Sequence, residues 1–130
     1  MKFTEHRDSN ILSVKKYQPG LVKINDIDVH SSCFLSQIEL KTDWPCQHIS
    51  ELTESHLDQL LELTPEVIIL GTGEHQTFPA PKFFAYCAQK GIGLEVMDNA
   101  AACRTYNVLT TEDREVVLAL ILSESTSPEG

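Results

Sequence analysis

The sequence predicts an α/β fold, and three observations carry that prediction. Residues 67–70, Val-Ile-Ile-Leu, form an apolar run without alternation, too short for a helix and suited to a strand covered on both faces. On either side of this run the apolar spacing switches to that of helices, and residues 92–96 return to a strand pattern. That order makes a strand-helix-strand unit whose two strands should be parallel and near neighbours in one sheet. The first third of the chain reads instead as short strands separated by turn residues, and is therefore expected to be antiparallel.

Taken in order, Ile11, Leu12 and Val14 open a strand running to about Tyr17, and Pro19-Gly20 marks a turn. Leu21, Val22 and Ile24 precede Asn25-Asp26, and Ile27 and Val29 follow, which predicts a hairpin with a tight polar connection. Cys33, Phe34, Leu35, Ile38 and Leu40 continue in β-type residues, interrupted at Ser36-Gln37, as far as the turn-prone Lys41-Thr42-Asp43. Trp44 opens a loop and is expected to cover part of the core. From Thr53, a candidate N-cap, Leu57, Leu60, Leu61 and the nearby Leu63 fall on one helical stripe while Glu54, Asp58 and Glu62 face out. Thr64-Pro65 ends that helix. Beyond Gly71-Thr72-Gly73 a loop over 74–78 leads to a helix over 81–90, with Pro81 in its first turn and Phe84, Cys87 and Ala88 as its apolar stripe. Gly91 stops it, and Ile92, Leu94 and Val96 form the next strand. Asp98 is placed to cap a third helix containing residues 99–107, and residues 111–114 read as a polar turn. Residues 115–122 favour a final buried strand, with a helix as the alternative.

A chain of 130 residues fits one domain, assigned to residues 1–122. Residues 123–130 have nothing to bury and read as a disordered tail. With 42% hydrophobic and 22% charged residues the composition is that of an ordinary globule, and no stretch is long enough to insert in a membrane as a helix. The first eight residues carry acids and lack an apolar signal core, so a cytoplasmic location is expected. A net charge of −9 repels nucleic acid and anionic membranes, and no local run of basic residues overrides it. Cys33, Cys46, Cys87 and Cys103 are far apart, and the histidines lack metal-ligand spacing, so reduced thiols and no metal are expected.

Gly71-Thr72-Gly73 sits where a strand of an open α/β sheet ends, the place where such sheets bind ligands. The third glycine of a dinucleotide fingerprint would fall at Gln76, and no Lys-Ser/Thr pair follows, so no nucleotide cofactor is expected. Two readings remain: a plain tight turn, or a small anion site built on exposed N–H groups. On a helical wheel Ala100, Cys103, Arg104 and Asn107 share one side. Cys103 is either packed or a thiolate favoured by Arg104, and Arg104 is either a ligand clamp or a helix-face partner for other groups. His75, with Glu74 beside it, could act as a base or simply be solvated. The candidate functional surface is therefore Gly71, Thr72, Gly73, His75, Cys103, Arg104 and Asn107, without an assigned catalytic role.

Across most of the chain the order Leu70-Gly71-Thr72-Gly73, Phe78-Pro79, Gly91-Ile92-Gly93-Leu94-Glu95-Val96-Met97-Asp98, Ala101-Ala102-Cys103-Arg104-Thr105-Tyr106-Asn107-Val108-Leu109 and Glu112-Asp113-Arg114 resembles the Mth938-like domains. The Cys-Arg-Thr-Tyr-Asn block is the most specific part of the likeness. This family of unknown function includes a mitochondrial complex I assembly factor and an adipogenesis-associated protein. The resemblance implies a central mixed sheet, helices packed on it, and an additional β-layer made by the early strands. It also implies a non-enzymatic module that binds a protein partner. The alternative is a small enzyme or a binder of a small anionic ligand using the Gly71-Thr72-Gly73 turn with Cys103 and Arg104.

Overall fold

The computed structural model describes residues 11–123. In chain order these form β1 (Val14–Gln18), β2 (Leu21–Ile24), β3 (Ile27–Val29), β4 (Cys33–Leu35), β5 (Leu40–Thr42), a 3-10 turn at Ile49–Glu51, α1 (Glu54–Leu61), β6 (Val67–Gly71), α2 (Pro81–Ala88), β7 (Gly93–Met97), α3 (Asn99–Thr111) and β8 (Val116–Leu120). Residues 115–122 thus supply a strand, not the alternative helix. The disorder expected of residues 123–130 falls outside the described residues, except at Ser123.

The strands make two sheets. β1, β2 and β3 form an antiparallel three-stranded sheet, and the remaining five lie in the order β5-β4-β8-β6-β7. In the larger sheet β6 pairs parallel with both β7 and β8, while β4 runs antiparallel to β8 and to β5. The early strands are therefore divided: β1–β3 build the additional layer, but β4 and β5 complete the central mixed sheet.

Alternation along the central strands feeds two cores. Val67 and Ile69 of β6, with Val116, Leu118 and Leu120 of β8, meet α3 and the small sheet. Ile68 and Leu70, with Val117 and Ala119, meet Leu57 and Leu60 of α1, Phe83 and Cys87 of α2, and Trp44. Every residue of β6 and β8 is buried, which is why these stretches read as uninterrupted apolar runs.

Local signals behave as their chemistry requires. The Thr53 hydroxyl accepts from the His56 amide while the His56 side chain accepts from the Thr53 amide, closing a capping box with histidine in the place usually taken by Glu. The Asp98 carboxylate accepts from the Ala101 amide at the head of α3. Pro81 occupies the first turn of α2. Trp44 is buried, edge-on to Phe34 with ring centroids 6.2 Å apart.

Three expectations need correction. Phe83 and Cys87, not Phe84 and Ala88, are the buried pair of α2, because the face of a short helix is chosen by the sheet beneath it. β1 begins at Val14 rather than Ile11, since the Leu12 amide donates to the Gln37 carbonyl and the Ser13 amide to the Asn25 side chain instead of pairing with β2. Ile38, counted among β-type residues, sits 84% exposed in the β4–β5 turn, which the Ser36 amide closes by donating to the Glu39 carbonyl.

Candidate functional site

Asn99 joins the end of β6 to the start of α3. Its Oδ1 accepts from the Gly73 amide at 3.1 Å, its own amide donates to the Gly73 carbonyl at 2.8 Å, and its Nδ2 donates to the Ile121 carbonyl at 3.0 Å and the Tyr17 hydroxyl at 3.1 Å. The side chain is thereby fully committed, as a polar group that is 1% exposed must be. Gly71 lets α3 approach this closely, since a Cβ there would stand 2.3 Å from Asn99 Oδ1 and 2.8 Å from Leu120 Cδ2. Gly73 has φ +115°, a backbone region suited to glycine.

The glycine turn does not present the free N–H groups expected of it. The Thr72 amide donates to the Met97 carbonyl at 3.0 Å, and the Gly73 amide is taken by Asn99. The Thr72 hydroxyl donates to the His75 carbonyl at 2.7 Å and accepts from the Thr77 amide at 3.0 Å, folding the loop on itself. A buried strand end cannot leave amides unpaired, so the turn spends its donors internally. The His75 side chain is exposed, makes no hydrogen bond among the described residues, and borders neither cavity described next.

Two cavities flank Tyr17. The first, of about 180 Å³, lies between the β1–β2 corner, Gly73, Glu74, Asn99 and residues 121–123. The Tyr17 hydroxyl donates to Glu74 Oε2 at 2.5 Å within it, and burial followed by this bond pushes the phenol above its usual titration range. The second, of about 240 Å³, lies between Val14, Lys15, Lys16 and Tyr17 of β1 and Ala100, Cys103, Arg104 and Asn107 of α3. All four residues of the helical-wheel face line this second hollow.

Their chemistry differs from residue to residue. Asn107 accepts from the Val14 amide at 3.0 Å and donates to the Val14 carbonyl at 2.9 Å, imitating a neighbouring strand along the free edge of β1, so its amide is not available to a ligand. Cys103 is 4% exposed, and burial pushes its thiol up to about 12 although Arg104 pulls the other way. It is a protonated, packed group at neutral pH. Arg104 is exposed and makes no hydrogen bond or ion pair among the described residues.

A family model described as a protein of unknown function (DUF498/DUF598) matches residues 14–121, which spans every element of both sheets. The chain belongs to this family. These are the Mth938-like domains, and a Xanthomonas campestris member solved by NMR superposes with a TM-score of 0.84 at 40% identity, covering 99% of this chain and 98% of that one. The 13 kDa major membrane protein of Francisella tularensis is 32% identical over 108 residues, 82% of this chain and 88% of its own. NADH dehydrogenase [ubiquinone] 1 alpha subcomplex assembly factor 3 of Danio rerio is 30% identical over 110 residues, 83% of this chain but 63% of its own length. Among the described residues no helix is long and apolar enough to cross a membrane, and no group of three or more potential metal ligands forms.

The fold thus unites Cys103, Arg104 and Asn107 of this DUF498 chain around one hollow and seats Gly73 on the adjoining one. Gly71 and Thr72 are buried and border neither hollow, and His75 stands apart. Sequence reasoning missed Tyr17, Asn99, Lys15 and Lys16. Consecutive lysines next to a tyrosine on a strand were the available signal, but their placement opposite α3 depends on contacts some ninety positions away in the chain, such as that of Asn107 with Val14.

Proposed function

We propose that residues 1–122 form one cytoplasmic unit that works as a non-enzymatic protein-binding module of assembly-factor type, with the hollow between β1 and α3 and the adjoining Gly73 turn as its contact surface. The observation that carries this reading is the state of the polar groups. Asn99, Asn107 and Thr72 are spent on holding the chain together, the Cys103 thiol is protonated, and what faces outward is the Arg104 guanidinium. Such a surface recognises a partner and has no activated nucleophile to offer it. The likeness to vertebrate complex I assembly factors supports a partner drawn from respiratory-complex biogenesis.

A second reading, a binder of a small anionic ligand, is favoured by the cationic rim of the same hollow. Affinity capture from the cells that make the protein separates the two. Wild type should retain a protein partner that an Arg104→Ala variant loses while its thermal unfolding stays unchanged. Capture that is indifferent to Arg104, or an Arg104→Ala chain that unfolds, would leave this surface with a structural role only.

A further inference from the structure

In the β1–β2 pairing, Val14 stands opposite Ile24 and Lys16 opposite Lys23, so Lys15 is an extra residue in β1. Regular alternation would send Lys15 and Lys16 to opposite faces of the sheet, and the bulge breaks that alternation. Both lysines border the hollow, and Arg104 borders it from α3. The three ion pairs of the described residues join Lys23 to Asp28, Lys41 to Glu39 and Arg114 to Glu66, so none neutralises Lys15, Lys16 or Arg104. A chain of net charge −9 therefore carries, around one concavity, three cations with no ion-pair partner among the described residues, a local reversal of sign that no run of sequence displays. A concave positive site on an acidic protein attracts and orients anions from solution.

The donors indicate which anion. Compact phosphate sites gather backbone N–H groups at a helix start or a nest. Here the Val14 amide on the strand side of the hollow is taken by Asn107, and the charges at the rim sit on long, separately anchored side chains. A volume of about 240 Å³ lies below the roughly 300–1,000 Å³ typical of small-molecule pockets and suits one or two inserted side chains.

We infer that the bulged Lys15-Lys16 pair and Arg104 form a subsite for the carboxylates of an acidic peptide segment on the partner protein. The inference rests on the binding-module reading and adds the chemistry of the partner. Arg104 engages a carboxylate through its planar fork, and the lysines act as point charges that set register.

The test is an NMR titration of isotopically labelled full-length chain with hexaglutamate peptide, run beside inorganic phosphate. Hexaglutamate should produce saturable shifts at the amides of residues 14–17 and 100–107 that weaken as salt rises. The double variant K15Q/K16Q and, separately, Arg104→Gln should each weaken binding about tenfold, as expected for loss of a charge-assisted contact, while keeping the native spectrum. Shifts that are absent, lie elsewhere or persist unchanged in both variants overturn the subsite. Phosphate that saturates the same residues more tightly than hexaglutamate also overturns it, in favour of a small-anion site. A captured protein partner retained by both variants would sink the subsite and leave a binding module whose contact surface lies elsewhere, whereas hexaglutamate binding here without any captured partner would keep the subsite and sink the broader reading.

Discussion

Asn99 is the residue on which the site's geometry depends most directly. Its carboxamide accepts from one backbone amide and donates to a carbonyl and a phenol, a pattern that needs an acceptor on one side and a donor on the other. Asn99→Asp keeps the size and removes the donor, setting a carboxylate oxygen against the Ile121 carbonyl. Chemical denaturation should show a loss of about 1–3 kcal/mol, the cost of leaving buried polar groups unpaired. An Asn99→Asp chain as stable as wild type would mean that the turn and α3 are held by packing alone. Asp98 was readable as a cap because its partner lies three residues away. Asn99 was not, because Tyr17 is 82 positions distant.

At the scale of elements, the contact between β6 and α3 is set by two glycines with different duties. Gly71 is a matter of space: an added methyl would overlap the Asn99 oxygen and Leu120, neither of which can withdraw without opening the core. Gly73 is a matter of backbone conformation, for nothing lies within 4 Å of its absent Cβ but its φ is +115°. Gly71→Ala should cost about 1–3 kcal/mol by overpacking. Gly73→Ala should cost about 1–2 kcal/mol by backbone strain. Thermal melts of the two variants check this, and Gly71→Ala should disturb the amide resonances of α3 well beyond Asn99, whereas Gly73→Ala should disturb only that of Asn99, which bonds to it. Equal spectral effects would mean that the glycines are interchangeable. Both glycines were visible in the sequence as a turn signal, yet the division of labour between them depends on what packs above.

At the scale of the whole molecule, buried thiols on both faces of the central sheet tie stability to alkaline pH. Burial raises Cys103 and Cys33 from the ordinary 9.0 to about 12, and Cys46 to about 11. In the unfolded chain these groups lose protons near pH 9, whereas in the folded chain they hold them longer, so above pH 9 the unfolded state binds fewer protons. Stability from this source is complete below about pH 9 and is lost as pH rises toward 11–12. Melting temperatures measured from pH 7 to 11 should stay level and then fall, and replacing Cys103 by alanine should soften the alkaline fall. A flat profile to pH 11 would show that the thiols are less shielded than their burial implies. Removal of residues 124–130, which contain no large apolar side chain, should change stability by no more than about 0.5 kcal/mol in the same melts.

The sequence by itself determined what each stretch is. The unbroken run at 67–70, the helical spacing after Thr53 and Asp98, and the Asn25-Asp26 and Gly71-Thr72-Gly73 turns specify strand, helix and turn through signals carried within a few residues, and the strand-helix-strand order made β6 and β7 parallel neighbours. Tertiary structure alone decided how these pieces meet. It split the early strands between two sheets, turned Phe83 instead of Phe84 into the core, occupied the donors of the glycine turn, and set a bulged lysine pair of β1 and an arginine of α3 around one hollow. Each of these outcomes rests on contacts between residues far apart in the chain, up to 93 positions between Val14 and Asn107, and packing geometry at that range has no periodicity or spacing by which a sequence can announce it.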